Sequence, residues 1–249
     1  ETVIRQALKE KVRPVLFINK VDRLIAELQV TPEDMMQRFG KIITEVNKLI
    51  SRMVPDEFKK DWMVDAQAGT VAFGSAYHNW ATSIPFMAKK NVNFKQIYDF
   101  MENEQRKELA QAAPLHEVLL DMIVEKLPSA NTAQKYRIPH IWRGEAEEEI
   151  GQSMVHAKSD GDSAFMVTKV VLDPHAGEIA VGRLFSGTIK KGDQMYVAGM
   201  PNANRVQSVG MFVGGDRIAT ENVTAGNIIA VSGLRDAQSG STISSNKEM

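Results

Sequence analysis

Hydrophobic positions along this chain follow two different periods. From Glu1 to about Pro128 they recur mostly at helical spacing, and after about Ser129 they fall in short β-rich runs separated by turn residues. In the first stretch, Glu1 to Val12 reads as a helix feeding a short apolar strand, Pro14-Val15-Leu16-Phe17-Ile18. That run does not alternate, as expected of a strand buried on both faces of a parallel sheet. Thr31-Pro32-Glu33-Asp34 has the composition of a helix start, with Thr31 as N-cap, Pro32 in the first helical position and Asp34 as an acidic third residue. Phe39, Ile42, Ile43, Val46, Leu49 and Ile50 continue that helix to about Met53. A second short strand, Thr70 to Phe73, is closed by Gly74-Ser75-Ala76. Two more helices are expected over Asn93 to Ala110 and Leu115 to Leu127, the latter with Val118, Leu119, Met122 and Ile123 on one face and stopped by Pro128.

The second stretch predicts strands over Ala164 to Leu172, Glu178 to Ile189, Gln194 to Ala198, Val206 to Val213 and Asn227 to Val231. Turns at Lys190-Lys191-Gly192-Asp193 and Gly214-Gly215-Asp216 punctuate them. Strands at this spacing suit a small closed barrel rather than an open sheet. The fold class expected is therefore α/β, with a mostly parallel sheet and helices, followed by an all-β barrel. The division expected is residues 1–135 and 136–249, with Ser129 to Asp162 as linker, small helix and approach to the barrel.

The first strand runs directly into Asn19-Lys20-Val21-Asp22, and ligands of parallel sheets collect at the carboxyl ends of the strands. A strand followed by NKxD is an arrangement by which many nucleotide-binding proteins recognise guanine. The chemistry explains the residue types. A carboxylate only accepts hydrogen bonds, and guanine offers two adjacent donors, N1–H and the 2-amino group, where adenine has an acceptor at N1 and no amino group at C2. A site built around paired polar groups rejects the analogue that leaves them unpaired, which gives discrimination on the order of 10⁴-fold. Asp22 is thus the candidate for the base edge, with the Lys20 stem lying over base or ribose, Asn19 tying the loop to its neighbour or reaching the base, and Val21 turned into the core. Gly74-Ser75-Ala76, at the end of the second strand, is the candidate for guanine O6, because small side chains let backbone N–H groups approach.

Composition narrows the setting. With 249 residues, 43% hydrophobic and 24% charged, the chain has the make-up of a globular protein with one or two domains. Cysteine is absent, which removes disulfides and thiolate metal sites and fits a reducing cytoplasm. The net charge of −1 gives neither half the basic excess of a self-sufficient nucleic-acid binder. No apolar run approaches membrane-spanning length, so no membrane is expected as a partner. The first residue is not methionine, and the sheet looks truncated, so a piece of a longer protein is expected.

Longer motifs give a resemblance. Val15 to Arg23, Phe73-Gly74-Ser75-Ala76-Tyr77 with Trp80, Val167-Thr168-Lys169, Asp173 to Glu178, and Gly182 to Ile189 followed by Lys191-Gly192-Asp193 resemble the elongation factor 2 family of translocation GTPases. The wording around Gly74 resembles the archaeal branch. The resemblance covers Glu1 to about Ser245. It implies the later part of a P-loop GTPase domain followed by a translation-factor barrel, in a cytoplasmic, monomeric protein that uses GTP to promote ribosomal translocation of tRNA and mRNA. It implies the ribosome, its RNA and its proteins, as partner, with tRNA and mRNA met indirectly. GTP and GDP are the implied ligands, with Mg²⁺ held by residues outside this chain. Carried over by motif, Asp22 binds the base edge, Asn19 and Lys20 support and cover it, and Ser75 and Ala76 close on O6.

The phosphate machinery of such an enzyme is not in this sequence. There is no GxxxxGK[ST] and no DxxG, and Phe39-Gly40-Lys41-Ile42 lacks both the earlier glycine and the hydroxyl after lysine. This stretch alone is expected to bind guanine nucleotides feebly and not to hydrolyse GTP, so no catalytic residue is assigned. The histidines at 78, 116, 140, 156 and 175 have no metal-ligand spacing and are read as surface or packing residues, with His78 set apart because it follows Gly74-Ser75-Ala76. Glu145, Glu147, Glu148 and Glu149 read as a solvated acidic face, and the methionines as packing residues. Two other readings stand beside the GTPase: an elongation-factor-like scaffold for ribonucleoprotein assembly, and a binding-only barrel module.

Overall fold

A computed structural model describes residues 1–174 and 176–249. His175, one of the five histidines and part of the Asp173 to Glu178 motif, lies outside the described residues. The chain divides into two compact units, Glu1–Leu127 and Pro128–Met249.

The first unit is a small sheet dressed with helices. Helix α1 (Thr2–Lys9) leads into strand β1 (Leu16–Ile18), and α2 (Val21–Ala26) starts three residues after that strand ends. The long α3 (Pro32–Met53) begins as its sequence requires: Thr31 caps it, with Oγ1 accepting from the Asp34 N–H at 3.2 Å. Met35, Phe39 and Ile50 are its buried residues, while Ile42 is exposed. After α4 (Asp56–Trp62) come β2 (Val71–Ser75) and β3 (Trp80–Thr82), then α5 (Ile84–Lys90), α6 (Phe94–Glu102), α7 (Arg106–Ala112) and α8 (Leu115–Lys126).

Two expectations change here. The sheet has the order β1-β2-β3, with β1 parallel to β2 and β3 antiparallel to it, so one of its two pairings is parallel. It is not mostly parallel. Strand β2 is buried at every position, whereas β1 is an edge strand among the described residues, with Leu16 and Phe17 only half-buried. The expected helix over Asn93 to Ala110 is two helices. Glu104 between them has a left-handed φ of 56°, which ends a right-handed helix, and α6 starts in a capping box made by Asn93 and Gln96.

The second unit opens with α9 (Ala130–Ile141) and α10 (Glu149–Val155), where the sequence suggested a linker and one small helix. Gln134 on α9 explains why this segment is ordered. Its buried Nε2 donates to the carbonyls of Met154, in α10, and Phe185, in the sheet. The rest is antiparallel: β4 (Ala164–Asp173), β5 (Gly177–Ser186), β6 (Thr188–Lys190), β7 (Gln194–Val197), β8 (Ala203–Arg205), β9 (Ser208–Val213), β10 (Asp216–Thr220), β11 (Asn222–Thr224), β12 (Ile228–Ser232) and β13 (Thr242–Ser244). Eight strands pair in the order β10-β9-β12-β5-β4-β13-β7-β8, and β11 pairs with β6 in a separate ribbon. One core of Phe165, Leu184, Ile189, Met195, Ile229 and Ile243, with their neighbours, is shared by both sheets.

The expected single strand from Glu178 to Ile189 breaks at Gly187. That residue has φ +76°, and a Cβ there would lie 2.4 Å from Ser163 Oγ, so the chain turns out of β5 and into β6 at a place only glycine fits. The ladders leave β10 and β8 as the ends of the eight-stranded sheet among the described residues, so full hydrogen-bonded closure of a barrel is not present in them.

Candidate functional site

The carboxyl ends of β1 and β2 bring the two sequence motifs together. Asn19 leaves β1, and Lys20 follows with a left-handed φ of 63°, which turns the chain sharply into α2. The turn is fixed by Asn19, whose Oδ1 accepts from the Lys20 N–H at 2.8 Å. The same oxygen accepts from the N–H of Ala76 at 3.0 Å, across 57 positions of sequence. One amide oxygen therefore ties the loop after β1 to the loop after β2. Val21 is fully buried, as its place between two polar neighbours suggested.

Asp22 stands in the first turn of α2 with its side chain 13% exposed. Its Oδ2 lies 3.6 Å from Nε2 of His78, while its Oδ1 is buried and has no hydrogen-bond partner. A buried acceptor without a donor costs about 1–3 kcal/mol, so such an atom calls for a ligand or a bound water. Asp22 opens onto a cleft of about 640 Å³, within the usual range for small-molecule sites. Asn19, Lys20 and Ser75 also line it, together with Tyr77, His78 and Arg106.

Three motif residues behave differently from a simple loop. Gly74 and Ser75 lie inside β2, not after it. Gly74 does not line the cleft: it sits in the β2–β3 ladder, where a Cβ would be 2.3 Å from the Trp80 carbonyl oxygen and 2.7 Å from Ala81 Cα. Ser75 is 1% exposed and its Oγ accepts from the His78 N–H at 3.2 Å, which closes the hairpin turn. The Ala76 N–H is engaged by Asn19, so a base carbonyl arriving there would share it.

Sequence reading did not find Arg106 or Met101, which reach the cleft from α7 and α6. No local signal marks them, since a lone Arg or Met on a helix is ordinarily surface or packing. Tyr77 was quoted only as part of a motif; it is 86% exposed at the mouth of the cleft.

The cleft at the carboxyl ends of β1 and β2 brings the two sequence motifs together, and comparison with known families gives its setting. The model of the Elongation factor Tu GTP binding domain matches residues 1–129, and the chain belongs to that family. The model of Elongation factor Tu domain 2 matches residues 177–244. Among curated relatives, Elongation factor 2 of Picrophilus torridus is 57% identical over 249 residues, which is 100% of this chain and 34% of the relative. Elongation factor 2 of Methanococcus maripaludis is 56% identical and that of Thermoplasma volcanium 55%, each over the same shares. The chain thus spans about a third of the length of these relatives.

Proposed function

We propose that this chain supplies the guanine-selecting part of a translation elongation GTPase and the barrel beside it, in a protein that uses GTP to promote ribosomal translocation of tRNA and mRNA. The observation that carries the reading is that Asp22, whose buried Oδ1 has no partner, lines one cleft with Asn19, which ties the two motif loops together through its bond to Ala76. The residues fit a guanine base. Asp22 takes the N1–H and 2-amino donors, the stem of Lys20 covers the ring, and Asn19 holds the two loops at a fixed separation. Ser75 shapes the floor from within β2, and Gly74 acts one step away by letting β3 close against it. The O6 contact falls to the Ala76 N–H, shared with Asn19.

The nucleotide supplies, when bound, the phosphate chemistry that drives the cycle. Nothing in this chain is assigned to that chemistry, and Mg²⁺ is placed with residues elsewhere. In this reading the first unit is the later part of the GTP-binding domain and the second is the barrel-type domain that meets ribosomal RNA and proteins. The protein is read as a cytoplasmic monomer. The identity to proteins called Elongation factor 2 favours this over an assembly scaffold or a binding-only module.

The test uses the full-length protein with ribosomes from a related source. Ribosome-stimulated GTP hydrolysis and movement of a pretranslocation complex are expected, with ATP giving neither. Stimulation by ribosomes without movement of tRNA would favour the scaffold reading.

A further inference from the structure

One titratable group in the cleft, His78, makes none of the contacts assigned to the base. Its Nε2 stands 3.6 Å from Asp22 Oδ2, and the two side chains are 18% and 13% exposed. The main chain that carries the imidazole is tied to the sheet, and the ring has an aromatic neighbour. The backbone N–H of His78 donates to Oγ of Ser75, in the fully buried β2, and its ring meets Tyr77 edge-on, with centroids 4.8 Å apart at 78°. The backbone of His78 is therefore held to β2, while Asp22 rides on α2.

A carboxylate rotates easily about its last bond, which has a broad, two-fold profile. To accept from two adjacent donors it must present both oxygens in the donors' plane, and an unrestrained Asp loses entropy in doing so. On this carboxylate one oxygen is free and the other faces the imidazole. The neighbouring cation Arg23, which lines the same cleft, pairs with Glu27 at 3.6 Å. Among the described residues His78 is the one group in ion-pair reach of Asp22.

We propose that His78 is a positioning residue for base selection, holding Asp22 Oδ2 through Nε2 so that the carboxylate plane is set before guanine arrives. The inference rests on the reading of the cleft as a guanine site. The separation is longer than a formed N–H···O bond, as contacts that tighten on ligand binding often are. It requires the tautomer with its proton on Nε2, which donates to Oδ2. The two oxygens of Asp22 then divide the work. Oδ1 is left wholly to the base, and Oδ2 accepts from both His78 and the base through its two lone pairs.

The test compares GDP with IDP, whose inosine base lacks the 2-amino group, in the full-length protein carrying His78→Ala, His78→Phe, His78→Gln or Asp22→Asn. Loss of the donor in His78→Ala should weaken GDP on the order of tenfold and IDP less than about threefold, so that the preference for guanine shrinks. His78→Phe keeps a ring against Tyr77 without the donor and should behave as His78→Ala does, and it decides the matter if the alanine variant does not fold. His78→Gln offers an amide donor at similar reach and should restore most of the preference, which a merely structural role would not produce. A GDP-to-IDP ratio within about twofold of native in His78→Ala or His78→Phe, or a glutamine variant no better than these, would overturn the proposal. Asp22→Asn separates the positioning role from the base site itself. If it alters base preference while the His78 variants do not, only the positioning role falls; if it too changes nothing, the base site falls with it.

Discussion

At the scale of residues, the site depends on a few atoms whose neighbours leave them one role. Asn19 Oδ1 holds both loops, so Asn19→Ala frees the Ala76 N–H and lets the two motifs drift apart. We expect faster amide exchange at Ala76 and a GDP affinity lower by on the order of tenfold in the full-length protein, read by exchange mass spectrometry and nucleotide titration. Gly74 is a packing requirement. A methyl there meets the Trp80 carbonyl and the Ala81 backbone, so Gly74→Ala should destabilise by roughly 1–3 kcal/mol and lower the melting temperature, with base preference kept in whatever remains folded. An unchanged melting temperature would show that β3 can give way. The sequence singled out Asn19, Lys20, Asp22 and Ser75 as candidates through guanine chemistry, and all four line one cleft. It could not show that Gly74 acts inside a ladder, which depends on the hairpin made with β3, nor that Ala76 already has a partner, which depends on β1 lying beside β2. Three residues, Trp80-Ala81-Thr82, are too short a run to announce a strand.

Among elements, ends proved easier to read than interruptions. The start of α3 was visible because capping is local chemistry, and Thr31→Ala should cost about 1 kcal/mol in a chemical denaturation experiment, with Thr31→Ser close to native. The breaks at Glu104 and Gly187 were not visible: each turns on a left-handed backbone, and at Gly187 the contact with Ser163 leaves no room for a Cβ. Where one small helix was expected, α9 and α10 both form, and their order comes from tertiary bonds. Gln134 is 4% exposed and its amide serves two carbonyls of distant elements. Gln134→Leu should strand both and destabilise the second unit by roughly 1–3 kcal/mol, seen as a lower midpoint for the transition reported by Trp142, which packs in the same cluster.

For the whole molecule, the hydrophobic period changes near Pro128; the division expected was 1–135 and 136–249, the compact units are Glu1–Leu127 and Pro128–Met249, and the second holds α9 and α10 as well as its antiparallel strands. The three-stranded sheet is mixed because β3 returns as a hairpin, a feature that a strand-by-strand reading of apolar runs does not capture. The proposed division of labour, base recognition in a stretch that has no phosphate loop, has a direct consequence for these 249 residues on their own. It should bind GDP more weakly than micromolar by calorimetry, because phosphate and metal contacts are outside it, and micromolar binding would mean that the cleft carries more of the affinity than the base alone explains. The central claim is that Asp22 chooses the base. The measurement that reaches it most directly is competition among GDP, XDP and ADP for the full-length protein and its Asp22→Asn variant. Xanthine carries a carbonyl where guanine carries the 2-amino group, so an amide donor should weaken GDP on the order of a hundredfold and make XDP the better ligand, with ADP poor throughout. An Asp22→Asn protein that still prefers GDP over XDP, with its affinity unchanged, would contradict the account.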